Sequence, residues 1–148
     1  MQQLFAVKDY LIEHVSFLSE DNCDIDSLTV FDTASFTNNP YCVVISHLFS
    51  DEAAQSGSVV NNLFDWRVLV NFFRLLEGSR DENCVQIQDA YIKAREIIAA
   101  ITEDPMLDDT VMDAKIHSVL TPMTYSRNDR DEYIMIGVVV SIKEALNG

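Results

Sequence analysis

The chain has 148 residues, with 24 Asp and Glu against 10 Lys and Arg, which gives a formal net charge of -14. This length suits one domain, and a hydrophobic share of 48% predicts a folded core rather than a disordered chain. Because an acidic surface repels phosphates and the basic residues are scattered singly, sequence-specific DNA binding and docking on an anionic membrane are both disfavoured.

The cysteines, Cys23, Cys42 and Cys84, are odd in number and lie far apart in the sequence. They form no C-x-x-C pair, so they indicate neither a zinc site nor a redox dithiol, and they are typical of a reducing compartment. The first residues lack the basic and apolar regions of a signal peptide, and no apolar run approaches the length of a membrane span. We therefore expect the protein to be made in a cytoplasm.

The first predicted element is an amphipathic helix over Gln2–Leu18, whose apolar residues recur at steps of three and four. Two short strands follow at Ser27–Ala34 and Tyr41–Phe49. The turn-forming triplet Asn38-Asn39-Pro40 between them predicts an antiparallel hairpin. The polar segment Ser50–Asn62 is predicted to be a surface loop.

The strongest strand pattern runs over Leu63–Leu76, with apolar residues at every second position from Phe64 to Phe72. We expect Trp66, on this apolar face, to lie in the core, with an anchor between subunits as the alternative. The opposite face is half apolar, and either a helix or a neighbouring subunit would have to cover it. Its residues are therefore candidate subunit contacts: Asp65, Arg67, Leu69, Asn71 and Phe73.

A second helix is predicted over Asp81–Ile101, because Ser79 and Glu82 have the spacing of a capping box. The apolar residues of this segment lie along one side, as expected for a helix that packs on a sheet. Pro105 prevents the helix from continuing.

Two strands complete the chain: Lys115–Thr121, which Pro122 ends, and Tyr133–Lys143, whose apolar residues alternate. The charged stretch Ser126–Asp131 between them is predicted to be a hairpin loop. The resulting order, α-β-β-β-α-β-β, predicts a single α+β domain over residues 1–148. Its sheet is expected to be mixed but mainly antiparallel, with two long helices packed on one face.

The sequence contains no motif for nucleophilic catalysis or nucleotide binding, since G-x-S-x-G, G-x-G-x-x-G and the P-loop pattern are all missing. His14, His47 and His117 lie on different predicted elements and lack the spacing of metal ligands. We therefore expect no enzyme activity, no cofactor and no metal site.

The acidic stretch after the second helix is the best candidate for an alternative, catalytic role. Its carboxylates are Glu103, Asp104, Asp108, Asp109 and Asp113. Closely spaced carboxylates could hold Mg²⁺ or Ca²⁺, but the spacing does not match an EF-hand loop, and a solvated acidic loop is the commoner explanation. Two alternatives stay open: a small metal-dependent hydrolase that uses this stretch, and an acidic adaptor or inhibitor that mimics nucleic acid.

The layout of the chain and one short motif are similar to those of a known family. The second helix runs into Asp104-Pro105-Met106-Leu107, followed by a polar strand, a charged hairpin and the apolar strand Ile134–Ile142. This resembles the tail terminator, or tail completion, proteins of tailed bacteriophages, in which a D-P-x-L stretch follows the second long helix and two final strands close the sheet. The family often has glycines directly after the leucine, where this chain has Asp108 and Asp109.

The resemblance implies a structural virion protein that has no cofactor. Such proteins form a ring, typically a hexamer, on the end of the tail tube, stop tube polymerisation and present the surface that joins the capsid connector. The expected partners are copies of the chain itself, the tube protein and a neck or connector protein, in the tail or neck of a virion made in a host cytoplasm. DNA would only pass through the pore, which an acidic lining suits because it does not attract phosphates. Two loops are expected to touch tube or connector, through Ser56, Gly57, Ser58, Arg127, Asn128, Asp129 and Arg130.

Overall fold

The computed structural model describes residues 2–25, 39–47, 57–60, 63–127 and 131–145. Within these ranges the elements follow the order α1-β1-β2-β3-β4-α2-β5-β6-β7. Their bounds are α1 Gln2–His14, β1 Cys23–Ile25, β2 Tyr41–His47, β3 Gly57–Val60, β4 Leu63–Leu76, α2 Arg80–Glu103, β5 Asp113–Val119, β6 Met123–Arg127 and β7 Asp131–Ala145. The predicted α+β fold with a mixed sheet is confirmed.

The sheet is built around two long antiparallel strands, β4 and β7, which pair from Leu63 opposite Ala145 to Leu76 opposite Glu132. Two shorter strands lie end to end along each of them. β2 and β3 pair with successive parts of β4, and β5 and β6 pair with successive parts of β7. β1 lies beside β2 and is parallel to it. The sheet is therefore mixed but mainly antiparallel.

Both helices pack on one face of this sheet, as predicted. Their buried residues form one core cluster with inward side chains of the strands; the helical members are Leu4, Val7, Tyr10, Leu11, Ala90, Ala94, Ile97 and Ile101. The hydroxyl of Tyr10 on α1 donates a hydrogen bond of 2.6 Å to the carbonyl of Ala100 on α2. Apolar periodicity in both segments thus positions the helices side by side over the sheet.

The first helix ends at His14 rather than at the predicted Leu18. The turn that follows is built around Asn22, which is only 2% exposed. Its side-chain amide donates to the carbonyls of Phe17 and Tyr41, and its Oδ1 accepts from the N–H of Ser19 at 2.7 Å. A buried amide that satisfies three backbone groups fixes the turn, and it leads directly into β1.

The predicted hairpin between Ser27–Ala34 and β2 falls partly outside the described residues, because Ser27–Ala34 is not among them. The described strand before β2 is instead β1, which places Cys23 opposite Val43 in parallel register. Strand β1 was not predicted, since three residues are too few to show an alternating pattern.

Two predicted loops contain strands. Gly57–Val60, predicted to be part of a surface loop, forms β3 and pairs with the start of β4, so the loop prediction is wrong for these residues. Met123–Arg127 forms β6 and β7 begins at Asp131, so the hairpin-loop prediction is wrong for Ser126, Arg127 and Asp131. In both cases the ladder bonds come from a long neighbouring strand, and this long-range pairing outweighs the local turn-like composition.

Other boundaries agree with the sequence. β4 begins at Leu63 and ends at Leu76, as the alternating pattern predicts. Helix α2 begins after Ser79, whose side-chain oxygen accepts a hydrogen bond of 3.3 Å from the N–H of Glu82. The predicted cap is therefore confirmed, and it satisfies one of the free N–H groups of the first turn.

Replacing Ser79 by Ala should lower the free energy of unfolding by about 1 kcal/mol, because the Glu82 N–H loses its acceptor. Urea denaturation followed by circular dichroism measures the change. Ser79→Asp, which keeps a side-chain acceptor, is the matched control and should stay close to the native stability. Equal stability of the Ala and Asp variants would contradict a capping role.

Candidate assembly surfaces

The D-P-x-L stretch after α2 forms a well-defined turn. The carboxylate of Asp104 accepts hydrogen bonds from the backbone N–H groups of Met106, at 3.3 Å, and Asp108, at 2.9 Å. Leu107 is 1% exposed and belongs to the main core. The carbonyl of Pro105 accepts from the N–H of Ala114, which ties the turn to β5. The motif residues therefore have local structural roles: one caps the turn, and one anchors it in the core.

Three consecutive residues of this turn have left-handed backbone conformations: Leu107 with φ 46°, Asp108 with φ 57° and Asp109 with φ 65°. Side chains with a Cβ atom are strained in this region, although Asp tolerates it better than most residues. Glycine adopts it without strain. The two aspartates therefore occupy positions at which glycine would be the least strained residue.

The carboxylates of the acidic stretch do not converge on one point. Asp108 Oδ2 lies 2.6 Å from Nε2 of His14, and Asp113 Oδ2 lies 3.8 Å from Nζ of Lys115. Among the described residues, no three His, Cys, Asp or Glu side chains come together to hold a metal ion. An open groove of about 400 Å³ beside the turn is lined by Thr102, Pro105 and residues 113–116. Within the described ranges, no set of metal ligands is therefore present for the hydrolase alternative.

In the described part of the chain, the histidines lie on separate elements, and two of the cysteines, Cys23 and Cys42, are buried. His14, His47 and His117 lie on α1, β2 and β5. The ring of His47 packs against Trp66, with centroids 5.5 Å apart, and burial lowers the pKa of this histidine. Burial raises the pKa of the Cys23 thiol to about 12, which keeps it in its unreactive protonated form. Trp66 packs against the main core while remaining partly exposed.

The five predicted subunit-contact residues occupy alternate positions of β4, on the face of the sheet away from the helices. Asp65, Arg67 and Leu69 are half-buried. Asn71 and Phe73 are 3% and 1% exposed, so both side chains are already covered in a single copy of the chain. A neighbouring subunit is not needed to cover them, and they are removed from the candidate contact surface.

Phe73 is buried because this face has a small apolar cluster of its own. It consists of Cys42, Val44, Phe73 and Tyr133, with Tyr125 and Met135 packed against it. The rings of Phe73 and Tyr133 meet edge to face at 5.5 Å, and Tyr125 stacks on Tyr133 at 5.7 Å. This cluster was not predicted, although β2 and β7 also carry apolar residues on both faces, which indicates that both faces are covered.

The other end of the same face is polar and internally matched in charge. The hydroxyl of Ser141 donates to the carboxylate of Asp65, and Nη2 of Arg67 lies 3.7 Å from that carboxylate. Strand register produces two cross-strand rows: Asp65, Lys143 and Asp113, and Arg67, Ser141 and Lys115. The first row therefore alternates in charge across β4, β7 and β5, and the second row has two cations on either side of a serine. Of the predicted contacts, Leu69 is the apolar side chain that remains half-buried.

The row formed by β5 and β6 is an edge of the sheet, since each pairs with β7 alone among the described strands. The row is interrupted at residues 120–122, where the N–H of Leu120 still donates to the carbonyl of Gly137 at 2.8 Å. Val119, Leu120 and Met123 are 49%, 40% and 50% exposed. We call these three side chains at the sheet edge the edge patch. Val119 pairs with Val138 on the helix side of the sheet, whereas Leu120 lies over Gly137 and Met123 pairs with Met135 on the other face. A register shift after Ile116 and the nearby proline discourage another chain from adding a continuous strand at this edge. A partner would therefore contact the side chains of the patch rather than its backbone.

Gly137 on β7 leaves room for the side chain of Leu120 at this interruption. A Cβ atom at position 137 would lie 3.0 Å from Cδ1 of Leu120 and 3.1 Å from Oδ1 of Asn71. These distances are too short for an undisturbed side chain, so glycine allows Leu120 to lie across β7. Leu120 of the edge patch therefore packs directly on β7.

A partly buried charged cluster joins α2 to the ends of β2 and β4. The hydroxyl of Tyr41 donates to the carboxylate of Asp89, which also lies 3.4 Å from Nε of Arg74 and 4.0 Å from Nζ of Lys93. Both cations lie over the Tyr41 ring, at 5.4 and 5.9 Å from its centroid. Burial, together with the bond to Asp89, raises the pKa of Tyr41 to about 12. The cluster links α2 to β2 and β4, and no sequence motif predicts it.

The predicted tube-contact or connector-contact residues are only partly described. Gly57 and Ser58 lie in β3, and Arg127 is the last residue of β6. The others lie outside the described residues: Ser56, Asn128, Asp129 and Arg130. No helix in the described part of the chain is long and apolar enough to cross a membrane. The chain matches no protein-family model and no protein in the curated set with which it was compared.

Substitutions at Asp109 should reveal the strain in the left-handed turn, because this side chain is exposed and φ is 65°. Asp109→Gly should be at least as stable as the native chain. Asp109→Val should be less stable by about 1–2 kcal/mol, since a β-branched residue is disfavoured in this conformation. Urea denaturation of both variants gives the comparison. A valine variant as stable as the glycine variant would show that the turn does not require this backbone.

Tyr41 should make the stability of the protein fall in strong alkali. The pKa in the folded state, about 12, lies above the ordinary value of 10.0, so the folded state favours the protonated phenol. This contribution is complete below the ordinary value and is lost as the pH rises through the folded-state value. Urea denaturation across this pH range should show a smaller loss for Tyr41→Phe than for the native chain. Tyr91→Phe, at an exposed site on α2, is the control, and equal losses in all three proteins would refute the assignment.

Proposed function

We propose that this chain is a structural assembly protein whose copies form a ring on the end of a phage tail tube. The proposal combines the resemblance to tail terminator proteins with one structural observation, the edge patch on the β5–β6 row. Three apolar side chains that are 40–50% exposed follow one another along an open sheet edge, Val119 toward the helix side and Leu120 and Met123 toward the other face, and they are better suited to a protein contact than to solvent.

The position of the edge patch favours a ring over a closed pair. The patch lies at one edge of the sheet, while the half-buried Leu69 lies on the far face of β4. A patch that meets a different surface on the next copy makes a head-to-tail contact, and such contacts close into rings when the rotation allows it. In this arrangement Leu69 and its polar neighbours Asp65 and Arg67 form the receiving surface.

The charge of the chain supports a passive role around DNA. Each copy carries a formal charge of -14, so a ring repels phosphates and does not hold a passing DNA molecule in its pore. The same charge makes copies repel one another at low ionic strength. Ring contacts therefore depend on local apolar packing, and added salt should favour them by screening the repulsion.

The ring is expected to bind the tube protein on one side and a neck or connector protein on the other. These partners follow from the tail terminator resemblance. The described residues contribute an acidic, partly exposed turn with Glu103 and Asp109 at the surface, and a sheet edge that ends in β6. Neither surface requires a catalytic group.

Electron microscopy of the purified protein, alone and mixed with assembled tail tubes, tests this function. We expect rings in solution or at tube ends. The double variant Val119→Glu with Met123→Glu should lose both, because two added charges would be buried in the contact. Phe5→Glu is the matched control: Phe5 is 49% exposed on α1 and lies outside the edge patch.

Circular dichroism and thermal melting should confirm that all variants remain folded. Absence of rings and of tube-end binding by the native protein would rule out the proposed function. Rings that persist in the edge variant would instead show that the function holds but that the contact lies elsewhere.

A further inference from the structure

The outward side of helix α2 is less polar than the solvent face of a sheet-packed helix usually is. Its exposed residues at steps of three and four are Asp81, Val85, Gln88, Ile92, Arg95, Ala99 and Thr102. Val85 and Ile92 are 66% and 52% exposed, which places two branched apolar side chains in solvent about two turns apart on the stripe. We call these seven residues the α2 stripe.

The charges along this side of the helix are arranged symmetrically about Gln88. Asp81 stands seven residues before Gln88, and Arg95 stands seven residues after it. Immediately outside the stripe, Arg80 stands eight residues before and Glu96 eight residues after. At each distance the two ends of the helix therefore carry opposite charges. Reversing the direction of the helix places each charge where its counter-charge stood.

The apolar residues follow the same symmetry. Val85 lies three residues before Gln88, and Ile92 lies four residues after it. A helix rises about 1.5 Å per residue, so an antiparallel copy centred on Gln88 brings each Val85 to within one residue of the other copy's Ile92. The stripe therefore presents to an antiparallel copy the arrangement of charged and apolar groups that complements its own.

We propose that α2 packs antiparallel against α2 of a second copy of this chain, across a two-fold axis at Gln88. In such a contact each residue i meets residue j of the other copy, and j meets i. Asp81 then meets Arg95, and Arg80 meets Glu96, twice each across the axis. Val85 and Ile92 pack between the two sets of ion pairs.

Three of the four charged groups of this contact, Arg80, Asp81 and Arg95, form no ion pair within the described residues, and all three are exposed. The fourth, Glu96, lies 3.8 Å from Nζ of Lys93 on its own helix. A parallel arrangement of the same helices would place Asp81 against Asp81 and Arg95 against Arg95, which is repulsive. Charge complementarity therefore selects both the occupant and its direction.

The contact is separate from the proposed ring surface. Helix α2 lies on the opposite face of the sheet from Leu69, and the α2 stripe is the solvent-exposed side of the helix, which the edge-patch residues of β5 and β6 do not share. Pairing through α2 therefore goes beyond the ring function and does not depend on it. A single pair of helices buries less surface than the roughly 1,000 Å² expected of a stable interface, so the dimer should depend on concentration.

Sedimentation velocity over a concentration series, with the full chain and its variants, tests the proposal. The native chain should form a dimer as its concentration rises. Arg95→Glu should weaken the dimer by about tenfold, because two attractive pairs become repulsive. The double variant Asp81→Lys with Arg95→Glu should recover native affinity, since it exchanges the two charges. Lys115→Glu on β5 changes the net charge as much as Arg95→Glu and should leave the dimer unaffected.

Disulfide formation tests the position of the axis. In a Cys84→Ser background, Gln88→Cys should form an intermolecular disulfide under a mild oxidant, because the two positions meet at the axis. Thr102→Cys in the same background is the matched control: it is exposed on the same stripe, but its two copies would lie about 42 Å apart. It should not cross-link.

A chain that stays monomeric at every concentration would overturn the proposal, as would a double variant that dimerises no better than Arg95→Glu. Equal cross-linking of the position 88 and position 102 cysteines would also overturn it, because the axis could not then lie at Gln88. Circular dichroism of each variant separates loss of pairing from loss of folding.

Discussion

The pairing of β4 with β7 along their whole length is the constraint on which the rest of the structure depends. Both strands bury side chains on two faces near their middle: Val70 and Val138 toward the helices, and Phe73 and Val139 on the other side. Strands that are apolar on both faces must be covered on both. The shorter strands therefore flank the pair, the helices cover one face, and the small aromatic cluster fills part of the other. The outer side of β5 and β6 is left open in the described chain.

Elements with strong patterns of their own could be predicted from the sequence, and elements that depend on this central pair could not. Alternation identified β4 and β7, and the cap at Ser79 identified the start of α2. β1, β3 and β6 are short, and their strand conformation comes from ladder bonds to distant partners. Asn71 and Phe73 illustrate the same limit for the candidate site. Their burial depends on segments such as Val44, far away in the sequence, so the pattern of β4 alone suggested that they were available to a neighbour.

The D-P-x-L stretch shows how a short motif can have a purely structural explanation. Asp104 caps the turn, Leu107 anchors it in the core, and the residues that follow take left-handed conformations. These requirements would hold for any chain in which a helix must turn sharply into a strand. The motif therefore does not by itself distinguish a tail terminator from other chains, and the proposed assembly role rests on the edge patch.

The two proposed contacts impose different symmetries on an assembly. A head-to-tail contact at the edge patch repeats around one axis and gives a ring with two different faces, as a cap between tube and connector requires. A two-fold contact through Gln88 makes the two sides of any closed assembly equivalent, which such a cap does not allow. The proposed α2 pair and the proposed capping ring are therefore alternatives for one copy of the chain. If both proposals hold, pairing through α2 covers Val85 and Ile92 in the free protein and has to separate before a copy enters a ring on a tube.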